Sequence, residues 1–299
     1  QESMMPSALT LALPALTMMA TGAPKASRTY LVTGSTDGIG RFTAGRLAKD
    51  GHRVLVHGRS PAKVAKAVED IGHEGGDASR VEGFVADVSL MTGVRQLAAD
   101  ILGKHEHLDG LLNNCGTFDG DYSGERVATA EGNEYSLAVN VAAPFLLTSL
   151  LLPALQKSPQ SRVLFTSSLS QGAPDVLEDP QLEKGWSGHR AYSFSKLANA
   201  MIAMEMHARY GDPPRLTVNT MDPGTVDTKM LRAGWWSGGR SVQTATGSHY
   251  LLTEPKLESV SGTYFVEHRE SRASAAVYDA VARAKLWDYL TALTGAAWP

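Results

Sequence analysis

The sequence predicts a single α/β domain in which a parallel β-sheet is covered by helices on both faces. From residue 29 onward, short runs rich in β-branched residues alternate with longer segments of helical periodicity. Strand segments such as Val163-Leu164-Phe165 are continuously apolar, which is typical of strands buried on both faces. No linker, repeat or low-complexity segment interrupts residues 29–299, so one domain is expected.

The predicted elements follow each other in the order strand, helix, strand. The strands cover residues 29–33, 53–57, 83–86, 110–112, 162–166, 216–221 and 263–266. The helices cover residues 39–49, 61–71, 94–103, 133–155, 189–210, 242–252 and 273–293. This order is the one expected for βα units wound onto a doubly wound parallel sheet of about seven strands.

Composition excludes several classes of protein and of partner. The 299 residues are 43% hydrophobic and 20% charged, which excludes disordered, collagen-like and disulfide-rich chains. The net charge of -3 and the absence of a basic tract make nucleic acid an unexpected partner. The single cysteine, Cys115, excludes an internal disulfide and a thiolate metal cluster, and no metal site is predicted.

The first residues form a separate segment. Residues 4–20 are apolar, but they are too short to span a bilayer and are broken by Pro14, so no transmembrane segment is predicted. We expect residues 1–28 to be a flexible N-terminal arm, with a remnant targeting peptide and a peripheral membrane patch as the alternatives. A cytoplasmic protein is predicted, and organelle import and peripheral membrane association stay open.

The first strand ends in a glycine-rich turn that leads directly into a helix. The turn reads Gly34-Ser35-Thr36-Asp37-Gly38-Ile39-Gly40. Glycines let the backbone turn sharply and approach a pyrophosphate, whose charge then meets the free N–H groups at the helix start. The alternative is a tight turn without a ligand, but the strand-turn-helix context favours a phosphate cradle.

The second strand ends at Gly58-Arg59, where a dinucleotide fold meets the adenosine ribose. No carboxylate stands there to accept a 2'-hydroxyl, whereas a guanidinium suits a 2'-phosphate. The sequence therefore predicts NADP(H) in preference to NAD(H). The alternative is that Arg59 is a solvated loop residue.

A pair of polar residues on a later helix completes a candidate site. Tyr192 and Lys196 are four positions apart, so they lie on one face of a helix. A nearby ammonium favours the phenolate and lowers the pKa of a tyrosine toward the range useful for proton transfer. The same spacing is common on solvated helices, so this pair carries weight only together with the glycine turn.

Taken together, these motifs resemble the short-chain dehydrogenase/reductase family, in the correct order over nearly the whole chain from Thr29. The matching segments are Thr33-Gly34 with Gly38 and Gly40, Asp87-Val88, Asn113-Asn114-Cys115-Gly116, Asn140, Ser167-Ser168, Tyr192 with Lys196, and Pro223-Gly224 through Thr228. Within the family, the resemblance is greatest to retinol dehydrogenase-like and WW-domain oxidoreductase-like members. Cys115 replaces an alanine of the family pattern, and Asp37 places a carboxylate in the phosphate cradle.

The resemblance implies a single-domain Rossmann fold and the interconversion of an alcohol and a carbonyl, retinoid-like or otherwise apolar, by hydride transfer. It assigns proton transfer to Tyr192, pKa control and ribose binding to Lys196, the substrate oxygen to Ser168, and a relay water to Asn140. With Arg59 from the argument above, the expected cofactor-binding residues are Gly34, Ser35, Thr36, Gly38, Ile39, Gly40, Arg59, Asp87, Val88, Asn114, Cys115, Gly116, Tyr192, Lys196, Pro223, Gly224, Val226 and Thr228.

A further expectation concerns the oligomeric state. The segments 133–155 and 191–209 are more apolar than one sheet contact requires, and similar enzymes pair these helices, so a homodimer or homotetramer is expected.

The alternative to an enzyme is a catalytically silent scaffold or dinucleotide sensor, which would not need to keep Asn140, Ser168, Tyr192 and Lys196. Trp235 and Trp236 are expected either to line a lid over an apolar substrate or to pack on their own domain.

Overall fold

A computed structural model describes residues 27–118, 124–235 and 238–299. Its centre is an eight-stranded sheet with the order β3-β2-β1-β4-β5-β6-β7-β8. The strands are β1 (Thr29–Val32), β2 (Arg53–Gly58), β3 (Val81–Val85), β4 (Gly110–Asn113), β5 (Ser161–Thr166), β6 (Leu216–Asp222), β7 (Tyr264–Val266) and β8 (Arg269–Ser271). The predicted doubly wound sheet is confirmed, because β1 to β7 pair in parallel with helices on both faces.

The eighth strand was not predicted. β8 pairs antiparallel with β7 and forms the edge of the sheet. Its three residues, Arg269, Glu270 and Ser271, are all exposed, so the sequence carries no apolar signal for a strand there. Its charged residues are of the kind that keep a sheet edge from pairing with another chain.

The α-helices lie close to the predicted segments. They are α1 (Gly38–Lys49), α2 (Pro61–Gly75), α3 (Met91–Leu102), α4 (Tyr135–Leu137), α5 (Ala143–Lys157), α6 (Gly188–Tyr210), α7 (Lys229–Trp235), α8 (Gly247–Thr253) and α9 (Ala280–Thr294). The short α7 was not predicted. The last helix starts later than expected because the Asp279 side chain accepts hydrogen bonds from Val281 and Ala282 and so caps α9 at residue 280.

The predicted helix 133–155 is one helical segment with a defect inside it. A π-helical turn, Ala138–Ala142, separates α4 from α5. Among the described residues, Tyr135–Lys157 is the one helical stretch long and apolar enough to cross a membrane, and 89% of its 18-residue apolar window is buried in the fold. Packing inside the protein therefore accounts for its composition.

The hydrophobic core has two parts, one on each face of the sheet. The larger part joins β4 and β5 to α3, α5, α6 and α9. The smaller part joins β1 and β2 to α1, α2 and α8. Burial on both faces explains why every residue of β5 and β6 is buried.

The C-terminal segment covers the apolar surface of α5 and α6. Leu286, Trp287 and Leu290 of α9 are buried, and α9 packs along α6. The ring of Phe145 contacts Trp287 at 4.9 Å and Trp298 at 5.0 Å between centroids. The excess of apolar residues in α5 and α6 thus has a cover within the same chain.

Some of the predictions concern residues that the structure does not describe. Residues 1–26 of the expected N-terminal arm lie outside the described residues, and so does Trp236. Trp235 is the last residue of α7.

Candidate functional site

A cavity of about 600 Å³ opens at the carboxyl edge of the parallel strands. This volume is within the range of sites for small molecules and cofactors. Predicted residues that line it are Gly34, Gly38, Ile39, Arg59, Asn114, Cys115, Gly116, Ser168, Tyr192, Lys196, Pro223, Gly224, Val226 and Thr228. Segments far apart in sequence thus meet at the place where open α/β sheets bind ligands.

The glycine turn at the base of this cavity leaves no room for side chains. Gly34 has a φ of 63°, and a Cβ atom there would lie 2.8 Å from the Cα of Cys115. A Cβ at Gly40 would lie 2.5 Å from the amide nitrogen of Asn114. The backbone and the start of α1 therefore form an open concave surface, which fits a pyrophosphate approaching the first N–H groups of the helix.

His57 holds this turn from behind. Its Nδ1 accepts the backbone N–H of Gly34 at 3.2 Å, and its Nε2 lies 3.2 Å from the carbonyl oxygen of Ala86. Burial lowers the pKa of His57 to about 4, so the ring is neutral at physiological pH. A neutral ring with its proton on Nε2 satisfies both contacts at once.

Asp37 does not leave an uncompensated negative charge in the cradle. Its carboxylate caps α1 by accepting the N–H of Gly38 at 2.8 Å, and it pairs with Lys229 at the start of α7. The hydrogen bond from Lys229 is the main cause that lowers the pKa of Asp37. Both residues line the cavity, so this ion pair joins the glycine turn to α7 across its mouth.

The Tyr192 side chain is 7% exposed and packs against an aromatic neighbour. Its ring centroid lies 4.6 Å from that of Phe118, and a hydrogen bond joins its side chain to that of Ser168. Burial raises the pKa of Tyr192 to about 12. This differs from the lowered pKa expected from sequence, because the removal of water around the phenol outweighs the stabilisation of the phenolate.

The Lys196 side chain is also buried, with 3% of its surface exposed. Its Nζ donates to the carbonyl oxygen of Thr166 at 3.1 Å and lies 5.4 Å from the centroid of the Tyr192 ring. Burial lowers the pKa of Lys196 to about 8, against the opposing attraction of Asp222. The ammonium form therefore still predominates at pH 7, next to the tyrosine.

Asn140 lies beside this pair, in the π-helical turn. Its side-chain oxygen accepts the N–H of Thr117 at 2.7 Å. Its amide nitrogen donates to the Thr117 carbonyl and to Ser195 Oγ, both at 3.0 Å. The hydrogen bonds of this amide to Thr117 hold the loop that contains Gly116 in position.

Arg59 reaches the cavity from the end of β2. Its side chain is exposed, and Nη1 donates to the hydroxyl of Tyr135 at 3.0 Å. The guanidinium therefore has one neutral partner among the described residues and keeps most of its donors available.

Six of the predicted site residues do not line the cavity, namely Ser35, Thr36, Gly40, Asp87, Val88 and Asn140. Ser35 is fully buried, and its hydroxyl donates to Val32 and accepts from His57. Asp87 accepts the N–H of Ser89 at 3.0 Å and so shapes the loop after β3. The assignment of the first five to cofactor binding, and of Asn140 to the proton relay, stays a prediction.

The structure also brings unpredicted side chains to the site. Asp222 accepts the N–H groups of Leu169 and Gly224, and Lys229, Met230 and Leu231 line the cavity from α7. Phe118 lies between Tyr192 and α7, since a side chain at Gly234 would overlap its ring. Proximity to the Pro-Gly segment was the only sequence signal for the α7 residues.

Comparisons with known proteins agree with this arrangement. The profile described as short chain dehydrogenase matches residues 28–235. Human retinol dehydrogenase 14 is 31% identical over 295 residues, covering 90% of this chain and 86% of that protein. Mouse polyprenol dehydrogenase is 35% identical over 296 residues, with 91% and 85% coverage.

The fold is shared with solved structures. A short chain dehydrogenase from Shigella flexneri, solved in complex with NADP, is 27% identical and has a TM-score of 0.65. The match covers 81% of this chain and 97% of that one. The chain belongs to the short chain dehydrogenase family of oxidoreductases.

Proposed function

We propose that the protein interconverts an apolar alcohol and its carbonyl compound with NADP(H), using Tyr192 as the proton-transfer residue. The observation that carries this proposal is the convergence of Ser168, Tyr192 and Lys196 on one cavity that also contains the glycine turn. The relatives are named for the oxidation of retinol and of polyprenol, and both names describe apolar alcohols.

A nicotinamide cofactor held between the glycine turn and the Pro223-Gly224 segment would supply or accept the hydride. The Ser168 hydroxyl holds the substrate oxygen next to the Tyr192 hydroxyl, to which it is already hydrogen-bonded. A pKa near 12 keeps the phenol protonated at pH 7, so Tyr192 is poised to give a proton to a carbonyl oxygen.

Lys196 then restores the proton and stabilises the phenolate that forms. Its pKa of about 8 lies close to the working pH, which suits a group that must both hold and release a proton. Because the Asn140 amide is fully used by Thr117 and Ser195, a relay water would rest on the Asn140 main-chain carbonyl.

The test of this assignment is Tyr192→Phe, which removes the hydroxyl and keeps the ring that packs on Phe118. We expect cofactor binding to change less than threefold, while turnover of a carbonyl panel falls by at least about a thousandfold. Near-normal turnover in Tyr192→Phe would refute the assignment. Cofactor binding without turnover in the wild type would instead support a silent, dinucleotide-sensing role.

The preference for NADP(H) rests on Arg59. This side chain lines the cavity at the end of β2, and Asp37, the carboxylate in the glycine turn, is paired with Lys229. A 2'-phosphate would replace the Tyr135 hydroxyl as the partner of the guanidinium in a charge-assisted contact.

We expect NADPH to bind roughly 30- to 150-fold more tightly than NADH at low salt, from a contact of about 2 to 3 kcal/mol. Arg59→Ala should abolish most of this difference by weakening NADPH alone. The matched control is Arg41→Ala, because Arg41 is paired with Glu74 outside the cavity. Fluorescence titrations of the wild type and both variants with NADPH and with NADH measure these affinities, and equal binding of both cofactors to the wild type contradicts the proposal.

Two further parts of the proposal concern the protein as a whole. Residues 29–299 act as one catalytic domain, and the protein forms a homodimer or homotetramer. A cytoplasmic location is proposed on the composition of the sequence alone.

A further inference from the structure

A second cavity, of about 190 Å³, lies at the opposite end of the sheet from the catalytic site. Its lining residues come from the amino ends of β1, β2 and β5, from the end of α8 and from the segment after α8. The lining is polar and consists of Arg28, Tyr30, His52, Gln160, Arg162, Thr253, Pro255 and Glu258. No part of the proposed mechanism uses it.

The register of the sheet places the side chains of Tyr30 and Arg162 next to each other. Tyr30, Gly110 and Arg162 are neighbours across β1, β4 and β5. Because Gly110 has no side chain, the Tyr30 ring occupies the position where a Cβ atom would otherwise be. Tyr30 and Arg162 therefore share one face of the sheet beneath the segment that contains Thr253 and Glu258.

Arg162 is a buried cation, and Glu258, which lines the same cavity, does not form an ion pair with it. Arg162 is 4% exposed, and its Nη1 donates to the Leu251 carbonyl at 2.9 Å. Its Nε is buried and has no hydrogen-bond partner among the described residues. No carboxylate of the described chain forms an ion pair with Arg162 or with Arg28, which bonds Gln160 instead. Burying an unpaired charge is strongly unfavourable.

The positive charges at the cavity outnumber the negative one, since Arg28 and Arg162 line it together with Glu258. Burial is the main cause that lowers the pKa of Arg162, and the positive charge of Arg28 adds to it, while Tyr30, Glu258 and Glu254 oppose it. A guanidinium nonetheless stays protonated in proteins. Two guanidiniums at one small cavity form a site for an oxygen anion, whose geometry matches their planar donors.

We propose that this cavity binds one small oxyanion, of the size of inorganic phosphate or a short carboxylate, between Arg28 and Arg162. Its volume excludes a dinucleotide, so it is separate from the cofactor site. The bound anion neutralises Arg162, which also holds the end of α8 through Leu251, and it therefore stabilises the region that follows α8. Capping of α8 by Arg162 without any ligand is the competing explanation.

The test is titration calorimetry of inorganic phosphate into the full chain with saturating NADP+, so that the phosphate cradle of the larger cavity is filled. We expect one saturable phosphate site per chain. Arg28→Gln should weaken it at least tenfold, and Glu258→Gln should tighten it severalfold, because Glu258 repels an anion from the cavity wall. Arg28 is partly exposed at the cavity, so its substitution keeps the fold testable even if Arg162→Gln does not fold.

The matched control is Arg269→Gln, which removes the same charge from the exposed edge strand β8. It should leave phosphate affinity unchanged. Acetate replaces phosphate in a second series, and the tighter of the two identifies the anion class. The proposal is overturned if no saturable site is found, or if Arg28→Gln and Arg269→Gln have equal effects. A phosphate site insensitive to Arg28→Gln overturns the proposal in the same way, because the bound phosphate then lies outside this cavity.

Discussion

At the scale of single residues, the site combines a buried acid and a buried base that are each shifted away from their ordinary pKa. Tyr192 and Lys196 lie on one face of α6, and burial acts on both of them. It raises the pKa of the phenol to about 12 and lowers that of the ammonium to about 8, so the two values move apart. The ammonium of Lys196 is thereby the stronger acid of the two, and proton transfer from it to a phenolate at Tyr192 is favourable.

The same burial makes the charged form of Lys196 unfavourable for folding. The pKa of Lys196 is about 8 in the folded protein, below its value in the unfolded chain. The charged form is therefore penalised by folding below pH 8, and the penalty disappears as the pH rises toward the unfolded pKa. We expect Lys196→Met to be more stable than the wild type at pH 7, by up to about 3 kcal/mol, although it is inactive.

Urea unfolding at pH 7 and pH 10 measures this effect. The advantage of Lys196→Met should shrink between the two pH values, because the folded lysine is already neutral at pH 10 and the pH then lies close to the unfolded pKa of 10.5. Lys49→Met, on an exposed helical position, is the control and should show no such change. An Lys196→Met protein that is less stable at pH 7 would show that the hydrogen bond to Thr166 outweighs desolvation.

At the scale of elements, α7 is the part of the site that the sequence did not reveal. Three residues of α7, Lys229, Met230 and Leu231, line the cavity, and Gly234 lets this helix approach the Phe118 ring. The same ring contacts Tyr192, so α7, Phe118 and Tyr192 form one packed series. A displacement of α7 is therefore transmitted to the reacting hydroxyl.

We expect Gly234→Ala to lower kcat/KM about tenfold or more, because the new methyl group overlaps Phe118 and displaces α7. The affinity for NADPH should change much less than the KM for the carbonyl substrate. Phe118→Leu combined with Gly234→Ala supplies the matched rescue, since the smaller side chain makes room for the methyl group. Failure of this rescue, with unchanged stability, would place the effect of Gly234 elsewhere.

How far the sequence predicted these elements depends on the strength of each local signal. Seven strands and the main helices were predicted because their apolar runs are buried on two faces, as in β5. β8 has three exposed polar residues, and α7 is a single short helix next to glycines, so neither has an apolar period to detect. The Asp37–Lys229 pair joins residues 192 positions apart, which no local pattern contains.

At the scale of the whole molecule, the position of α9 changes which surface is expected to form the interface of an oligomer. The sequence favoured a dimer or tetramer because α5 and α6 are rich in apolar residues, and α9 covers this surface within the chain. A second copy that approaches these helices would meet the outer face of α9 first. Val281 on that face is 79% exposed, the most exposed of the large hydrophobic residues described.

We therefore expect a homo-oligomer whose interface includes α9, and we expect Val281→Glu to dissociate it. A buried carboxylate in the interface should weaken association at least about tenfold. Val85→Glu is the matched control, because Val85 is 44% exposed on β3, at the other end of the sheet. Sedimentation velocity at micromolar concentration gives the result, and a monomeric wild type would contradict the prediction.

The aromatic cluster formed with the C-terminal segment has an optical consequence. The indole rings of Trp287 and Trp298 lie 4.5 Å apart at 41°, and Tyr210 stacks on Trp298 at 5.3 Å. Chromophores this close, and tilted in a fixed chiral geometry, couple their strong transitions, so we expect paired bands of opposite sign in far-ultraviolet circular dichroism. We expect those bands to disappear when Trp298 separates from Trp287 and Tyr210, even if the β-sheet stays folded. The chain thus contains a built-in spectroscopic reporter for the docking of its own last residues.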